Sequence, residues 1–266
     1  SYVFMDRSMP DFCRYVGIDY SGAETPDASL KGLRVYLAQS DAPAVEVLPP
    51  PSPRKYWTRK GIAEWLILRL AENISTIVGI DHGFSFPIRY FEVHHIPPDW
   101  DTFLEDFRLH WPTDLDHMYV DFIRDGHKGD GLARQGDSRW RRICETRCKA
   151  KSVFHFDVQG AVAKSTHAGI PWLLHLRRQC PDVHFWPFDG WVPAKGVSVV
   201  GEAYPSLWRH AYPTGDRTPD QHDAFTIATG LQQSDRAGTL AELMSPPFQG
   251  QEEAVAGVEG WIFGVA

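Results

Sequence analysis

Val16-Gly17-Ile18-Asp19 and Val78-Gly79-Ile80-Asp81 are the same tetrapeptide met twice in one chain. Each closes a short apolar, β-prone run with a carboxylate. Strands ending side by side in a sheet would hold the two carboxylates within a few ångströms, and like charges at that range need a proton or a cation between them. A third acidic stretch, Asp220-Gln221-His222-Asp223, opens a strongly amphipathic helix near the other end of the sequence. Acids far apart in sequence, each ending or opening a regular element, point to a divalent-metal site.

Outward from the first tetrapeptide, residues 13–19, 32–38 and 44–48 read as three consecutive strands separated by turn formers. The stretch Pro49 to Pro53 breaks that pattern. Thr58 is placed to cap a helix whose apolar positions Ile62, Trp65, Leu66 and Leu70 recur at helical spacing, and residues 75–80 then form the strand that delivers Asp81. From about residue 94 to 168 the pattern weakens into short helical pieces rich in aromatic, histidine and basic residues, read as an insertion into a single domain spanning the whole chain. Regular structure resumes with a helix over 171–178 and strands over 183–186 and 197–202. Thr218 and Pro219 start the last major helix, with Ala224, Ile227, Ala228 and Leu231 along one face, and residues 258–263 read as a short closing strand.

The 266 residues are 43% hydrophobic and 13% aromatic, a globular composition, and no apolar run approaches the length of a membrane span. The N-terminal residues 1–7 lack the basic region, apolar stretch and cleavage site of an export signal. The four cysteines, Cys13, Cys144, Cys148 and Cys180, lack the paired spacing of a structural zinc site, and reduced cytoplasmic thiols are the simplest reading. A net charge of −7 excludes a chain coated in positive charge but leaves room for a local basic stripe that binds nucleic acid.

Magnesium takes oxygen ligands in octahedral geometry and keeps several waters, so Asp19, Asp81 and Asp223 would suffice to hold it beside a phosphate. In a two-metal phosphodiesterase the ions sit about 3.5–4 Å apart with one acid bridging them, and Asp19 on the first strand is the candidate bridge. Asp220 shares a helix face with Asp223, and His222 or His82 is the candidate proton shuttle.

The chain resembles proteins of the ribonuclease H-like fold, RuvC-type resolvase branch. More narrowly, it is similar to domain-of-unknown-function family 429, described as predicted RNase H-like nucleases. The resemblance rests on the two tetrapeptides, Gly169-Ile170-Pro171-Trp172-Leu173, Val200-Gly201-Glu202-Ala203-Tyr204-Pro205-Ser206 and Asp220-Gln221-His222-Asp223-Ala224, which together span nearly the whole chain. It implies an α/β fold with a mixed five-stranded sheet, three antiparallel strands followed by parallel ones, flanked by helices. It also implies a Mg2+- or Mn2+-dependent nuclease acting on DNA or RNA, with Asp19, Asp81, Asp220 and Asp223 on the metal. The resolvase pattern usually has Glu after the fourth strand where this chain has the shorter Asp81. Glu202 is a further acid of the narrower family and a candidate for the catalytic set.

Each of these residues has a plainer reading. A strand-closing Asp is often a turn former, Asp220 and Asp223 suit the positive end of a helix dipole, and Glu202 could be a buried acid paired with an arginine. The twelve histidines form no His-Glu-x-x-His pattern. Arg134, Arg139, Arg141, Arg142, Arg147, Lys149 and Lys151 form the densest basic run, interleaved with Trp140, which suits phosphate contacts and base stacking. The alternative is a solvated face offset by Asp130, Asp137 and Glu145. Arg139, Arg141 and Arg142 are the candidate substrate contacts from this run, joined by Ser21 and by Lys164 of a stretch that superficially resembles a phosphate loop. Two further functions stay open: an actin-like ATP-binding phosphotransferase, suggested by Asp19-Tyr20-Ser21-Gly22 and Asp81-His82-Gly83, and a non-catalytic module that keeps the fold without the metal.

Overall fold

A computed structural model describes residues 9–266, so the N-terminal stretch read for an export signal lies outside the described residues. In chain order the elements are β1 (Arg14–Asp19), β2 (Arg34–Gln39), β3 (Val45–Glu46), α1 (Arg59–Leu70), β4 (Thr76–Ile80), α2 (Ile88–Val93), α3 (Trp100–His110) and α4 (Val120–Arg124). They continue with α5 (Ile143–Cys148), α6 (Ala163–Gln179), β5 (His184–Phe185), β6 (Val199–Glu202), α7 (Pro219–Arg236), α8 (Leu240–Leu243) and α9 (Glu252–Glu259). The strands form one mixed sheet in the order β3-β2-β1-β4-β6-β5, antiparallel from β3 to β1 and parallel from β1 to β5. That is six strands rather than five. The edge strands β3 and β5 hold only two residues each, inside the longer 44–48 and 183–186 runs read from the sequence, and the count of five came from the resemblance.

The repeated tetrapeptides lie side by side in register, Val16 opposite Val78, Gly17 opposite Gly79 and Ile18 opposite Ile80. Side chains alternate faces along a strand, so this register sorts residues across the sheet into two layers. Val16, Ile18, Val78, Ile80 and Val200 face a core shared with α1, α3 and α6. Tyr15, Ile77, Val199 and Ala203 face the other core, with Ile227 and Leu231 of α7 and the C-terminal Trp261 and Phe263. The central strands β1 and β4 are buried along their whole length because both faces are covered.

Helix α7 lies unusually close to the sheet. A Cβ on Gly17 would meet the Ala224 carbonyl oxygen at 2.2 Å and the Ala228 nitrogen at 2.6 Å, and one on Gly79 would meet Ile227 Cγ2 at 2.6 Å. The helix is fastened at both ends. Thr218 and Gln221 form a capping box, and the Gln221 side chain donates to Glu46 on the edge strand. At the other end Asp235 accepts from the backbone N–H groups of Asp11 and Phe12 and from the Tyr15 hydroxyl at 2.6 Å, while Gln232 donates to the carbonyls of Ser40 and Ala42.

Thr58 caps α1 by accepting from the Gly61 N–H, as its position in the sequence predicts. Helix α6 departs from expectation, beginning at Ala163 with Pro171 in its interior. Proline removes the hydrogen bond to the carbonyl four residues back, and here the Thr113 hydroxyl donates to that His167 carbonyl at 2.7 Å. The insertion therefore ends near residue 162, and its Phe103, Phe107, Trp111, Ile123 and Phe154 join the core on the α1/α6 face. The closing stretch also differs: residues 252–259 are helical, and only Ile262 bridges, to Glu202.

Replacing Gly17 with Ala is expected to destabilise the fold by about 1–3 kcal/mol, because the obstacle is helix backbone and not a movable side chain. Gly257→Ala in α9, where a Cβ meets nothing within 4 Å, is expected to be neutral or stabilising by up to about 1 kcal/mol. Urea unfolding of the two variants checks both.

Candidate metal centre

The alternation that puts Gly17 and Gly79 under α7 also puts Asp19 and Asp81, two residues further on, on the α7 face. The Asp81 N–H donates to the Ile18 carbonyl at 3.0 Å and carries the ladder one step past β4, so the two acids end their strands at the same level. Asp223 sits one turn into α7 next to Ala224, whose backbone rests on Gly17. One carboxylate oxygen from each of Asp19, Asp81 and Asp223 lies within 4.8 Å of the others. Oxygens on opposite sides of a bound magnesium lie about 4.2 Å apart and across calcium up to about 5 Å, so small side-chain adjustments would close this set on a hard cation.

The site stores like charge. Asp19 is 6% exposed, and burial, with the neighbouring Asp81 and Asp223 charges added, holds its carboxyl well above the usual range. Burial likewise pushes Asp81 up to about 7. Both coupled carboxyls sit above their ordinary range, so the pair retains a proton at neutral pH. That retained proton offsets negative charge that a bound cation would otherwise offset. The nearest positive group is Arg209, whose guanidinium holds Asp223 in a two-point pair at 2.8 and 2.9 Å. Asp220 lies a turn before Asp223 and adds negative charge to the surroundings of Asp19 without joining the close set.

Other residues singled out in the sequence are engaged elsewhere. Glu202 is opposite Ile80 in the β4–β6 register and so points to the other face; the residue level with Asp81 is Ala203. There Glu202 takes two hydrogen bonds from Arg142, at 2.7 and 2.8 Å, and Arg142 also pairs with Glu145 at 2.8 Å. Arg142 is fully buried in that network and is not a substrate contact, and Glu202 is a structural acid, not a member of the catalytic cluster. Arg139 folds back on Asp137, two residues away, at the surface, and Arg141 is exposed outside the cleft at the carboxylates. Arg134 pairs with Asp106 and Arg147 with Glu252. Lys164 is tied to Asp121 and Asp157, and the Ser21 hydroxyl accepts from the Ala23 N–H.

Neither candidate shuttle histidine reaches the carboxylates' open side. His222 is buried, with Nε2 on the Arg209 carbonyl at 2.8 Å, and it holds the segment carrying Arg209 in place. His82 is buried against Tyr20, burial pushes it down to about 4, and its Nδ1 is satisfied by the Gly83 carbonyl. Around the loop after Asp19, buried Arg59 donates to the carbonyls of Ser21, Ala23 and Glu24 and fixes the chain that leaves β1.

A cleft of about 320 Å³ opens onto Asp81 and Asp223. One side carries Tyr204, Pro205, Ser206 and Arg209; the other carries Lys149, Lys151, Gly160, Ala161 and Val162 of the insertion and Ser165 of α6. Lys149 and Lys151 belong to the basic run, but nothing in their spacing set them apart from its other members. Arg209 gave no signal at all, since it lies in a short 3₁₀ turn without periodicity.

No family model, no curated protein and no solved structure matches the chain. No helix among the described residues is long and apolar enough to cross a membrane, and the four cysteines are free thiols.

Two expectations follow. Removing the partner of two buried acids, Arg142→Ala should cost about 3–5 kcal/mol in urea unfolding. For Asp81, whose carboxyl titrates near 3.8 unfolded and about 7 folded, the folded state binds more protons between those values. Its contribution to stability is therefore largest at acid pH and is lost as pH rises through about 7, with Asp19 extending the loss upward. Metal-free protein should melt at progressively lower temperature from pH 5 to pH 8, and Asp19→Asn should flatten that slope.

Proposed function

We propose that the protein is a divalent-metal-dependent phosphodiesterase acting on nucleic acid, with a ribonuclease H-like fold. The observation that carries this reading is the convergence of Asp19, Asp81 and Asp223 at the ends of adjacent central strands and the start of one helix. The sheet order, with three antiparallel strands leading into parallel ones, agrees with the fold the resemblance implies. The donor set is all carboxylate, which suits Mg2+ or Mn2+ over zinc or copper.

Asp19, Asp81 and Asp223 would hold the ion, with Asp19, the most enclosed of the three, at the centre. When bound, the metal supplies an acidified water and neutralises charge developing on the phosphate. Around it, the chain's own residues orient and balance charge. Arg209 holds Asp223 in one rotamer and presents a guanidinium to the cleft, and Lys149 and Lys151 supply positive charge on the insertion side. Arg59 keeps the loop after Asp19 from relaxing out of the sheet.

Manganese added to the full chain should raise Tm, more at pH 8 than at pH 6, because ion binding competes with the proton that the raised Asp19 and Asp81 carboxyls retain. Asp19→Asn should abolish that rise and lower Mn2+-dependent cleavage of an oligonucleotide by about 100-fold or more, while leaving the fold intact. A variant that cleaves like the parent would remove Asp19 from the site.

A further inference from the structure

We infer that the site takes an unpaired polynucleotide strand, with its bases free, and not a duplex. This rests on the metal-dependent reading above and deepens it. Asp81 and Asp223 face a recess of about 320 Å³ lined by Lys149 and Lys151 of the insertion and by Tyr204 and Arg209 of the segment between β6 and α7. A duplex hides its base faces in the stack and presents its backbone on a convex surface, which is met by elements that project into a groove. A recess with protein on both sides admits a single backbone.

The chemistry of the walls matches that of a single strand. Tyr204 lines the recess beside the acids, and sequence-tolerant strand binding combines such an aromatic face with positive charge along the backbone. The positive charge is on the page: Lys149 and Lys151 on the insertion wall and Arg209 on the other. Among the described residues Lys149 has no carboxylate within ion-pair distance, so its ammonium is free for a phosphate. Lys151 donates to the Gln159 carbonyl and keeps further N–H donors.

The insertion wall is braced. The Ser152 hydroxyl bonds the Trp140 carbonyl and the Phe154 N–H, and Asp121 and Asp157 of the insertion pair with Lys164 at the start of α6. At the foot of the wall, Gly22 lies against the Lys164 backbone so closely that a Cβ there would meet the carbonyl oxygen at 2.1 Å. Packing between the start of α6 and the loop after β1 thus ties the two sides of the recess together at its foot.

The test is fluorescence anisotropy with the full chain in Ca2+, using labelled DNA and RNA strands about 12 nucleotides long, each alone and annealed to its complement. Single strands should bind at least about tenfold tighter than their duplexes, and the double variant Lys149→Ala/Lys151→Ala should lose at least about tenfold of single-strand affinity. That variant should keep the Mn2+-induced rise in Tm, which separates substrate binding from metal binding. DNA and RNA strands are distinguished by which binds tighter. Duplex binding as tight as single-strand binding overturns the inference, as does an unchanged affinity in the double variant. If no oligonucleotide binds while Mn2+ still raises Tm, the inference falls and the metal centre stands; if Mn2+ has no effect either, both fall.

Discussion

The seating of α7 on two glycines is the constraint from which the rest of the candidate centre follows. Gly17 and Gly79, aligned across β1 and β4, leave no side chain between sheet and helix, so the backbone at Ala224 and Ala228 rests almost on the strands. Gly201, opposite Gly79 on β6, leaves similar room for the Phe263 ring. A helix held that near delivers the Asp223 carboxylate to the strand ends. Capping at Thr218 and the Asp235 anchor to the start of β1 fix both its rotation and its height. An ordinary residue at position 17 would lift the helix and separate Asp223 from Asp19.

Two groups of buried acids in this molecule are handled in opposite ways. Glu145 and Glu202 share Arg142, so their charge is compensated within a closed hydrogen-bond network. Asp19 and Asp81 have only Arg209 nearby, and Arg209 is committed to Asp223. A proton shared between carboxyls is the compensation left to them, at the cost of raising both above their ordinary range. Strain of that kind, placed at the mouth of a cleft, is what a cation would relieve.

The insertion contributes more than bulk. Its aromatic side chains belong to the core beneath α6, which makes its lysine-bearing edge a rigid wall. Most of its basic residues are spent on ion pairs, with Arg134 on Asp106, Arg139 on Asp137 and Arg147 on Glu252 of α9. Charge counted along the sequence overstated the basic surface, because pairing depends on which acids folding brings alongside.

The sequence by itself determined the strands around the repeated tetrapeptide, the capped starts of α1 and α7, and the three acids at element ends, because these rest on local periodicity and capping chemistry. Even the close approach of α7 was written there, as glycines at matching positions of two strands. Tertiary structure alone decided the rest. Glu202 reads like Asp81, an acid closing a β-run, yet the β4–β6 register sets it one residue out of step and turns it to the opposite face. Arg142 reads like its basic neighbours and is buried, while Arg209 reads like nothing and stands at the centre. The interior proline of α6 is tolerated only because Thr113, far away in the chain, supplies the missing donor. Register parity and long-range pairing leave no trace in a single strand of sequence, since each is a relation between segments that meet only when the chain folds.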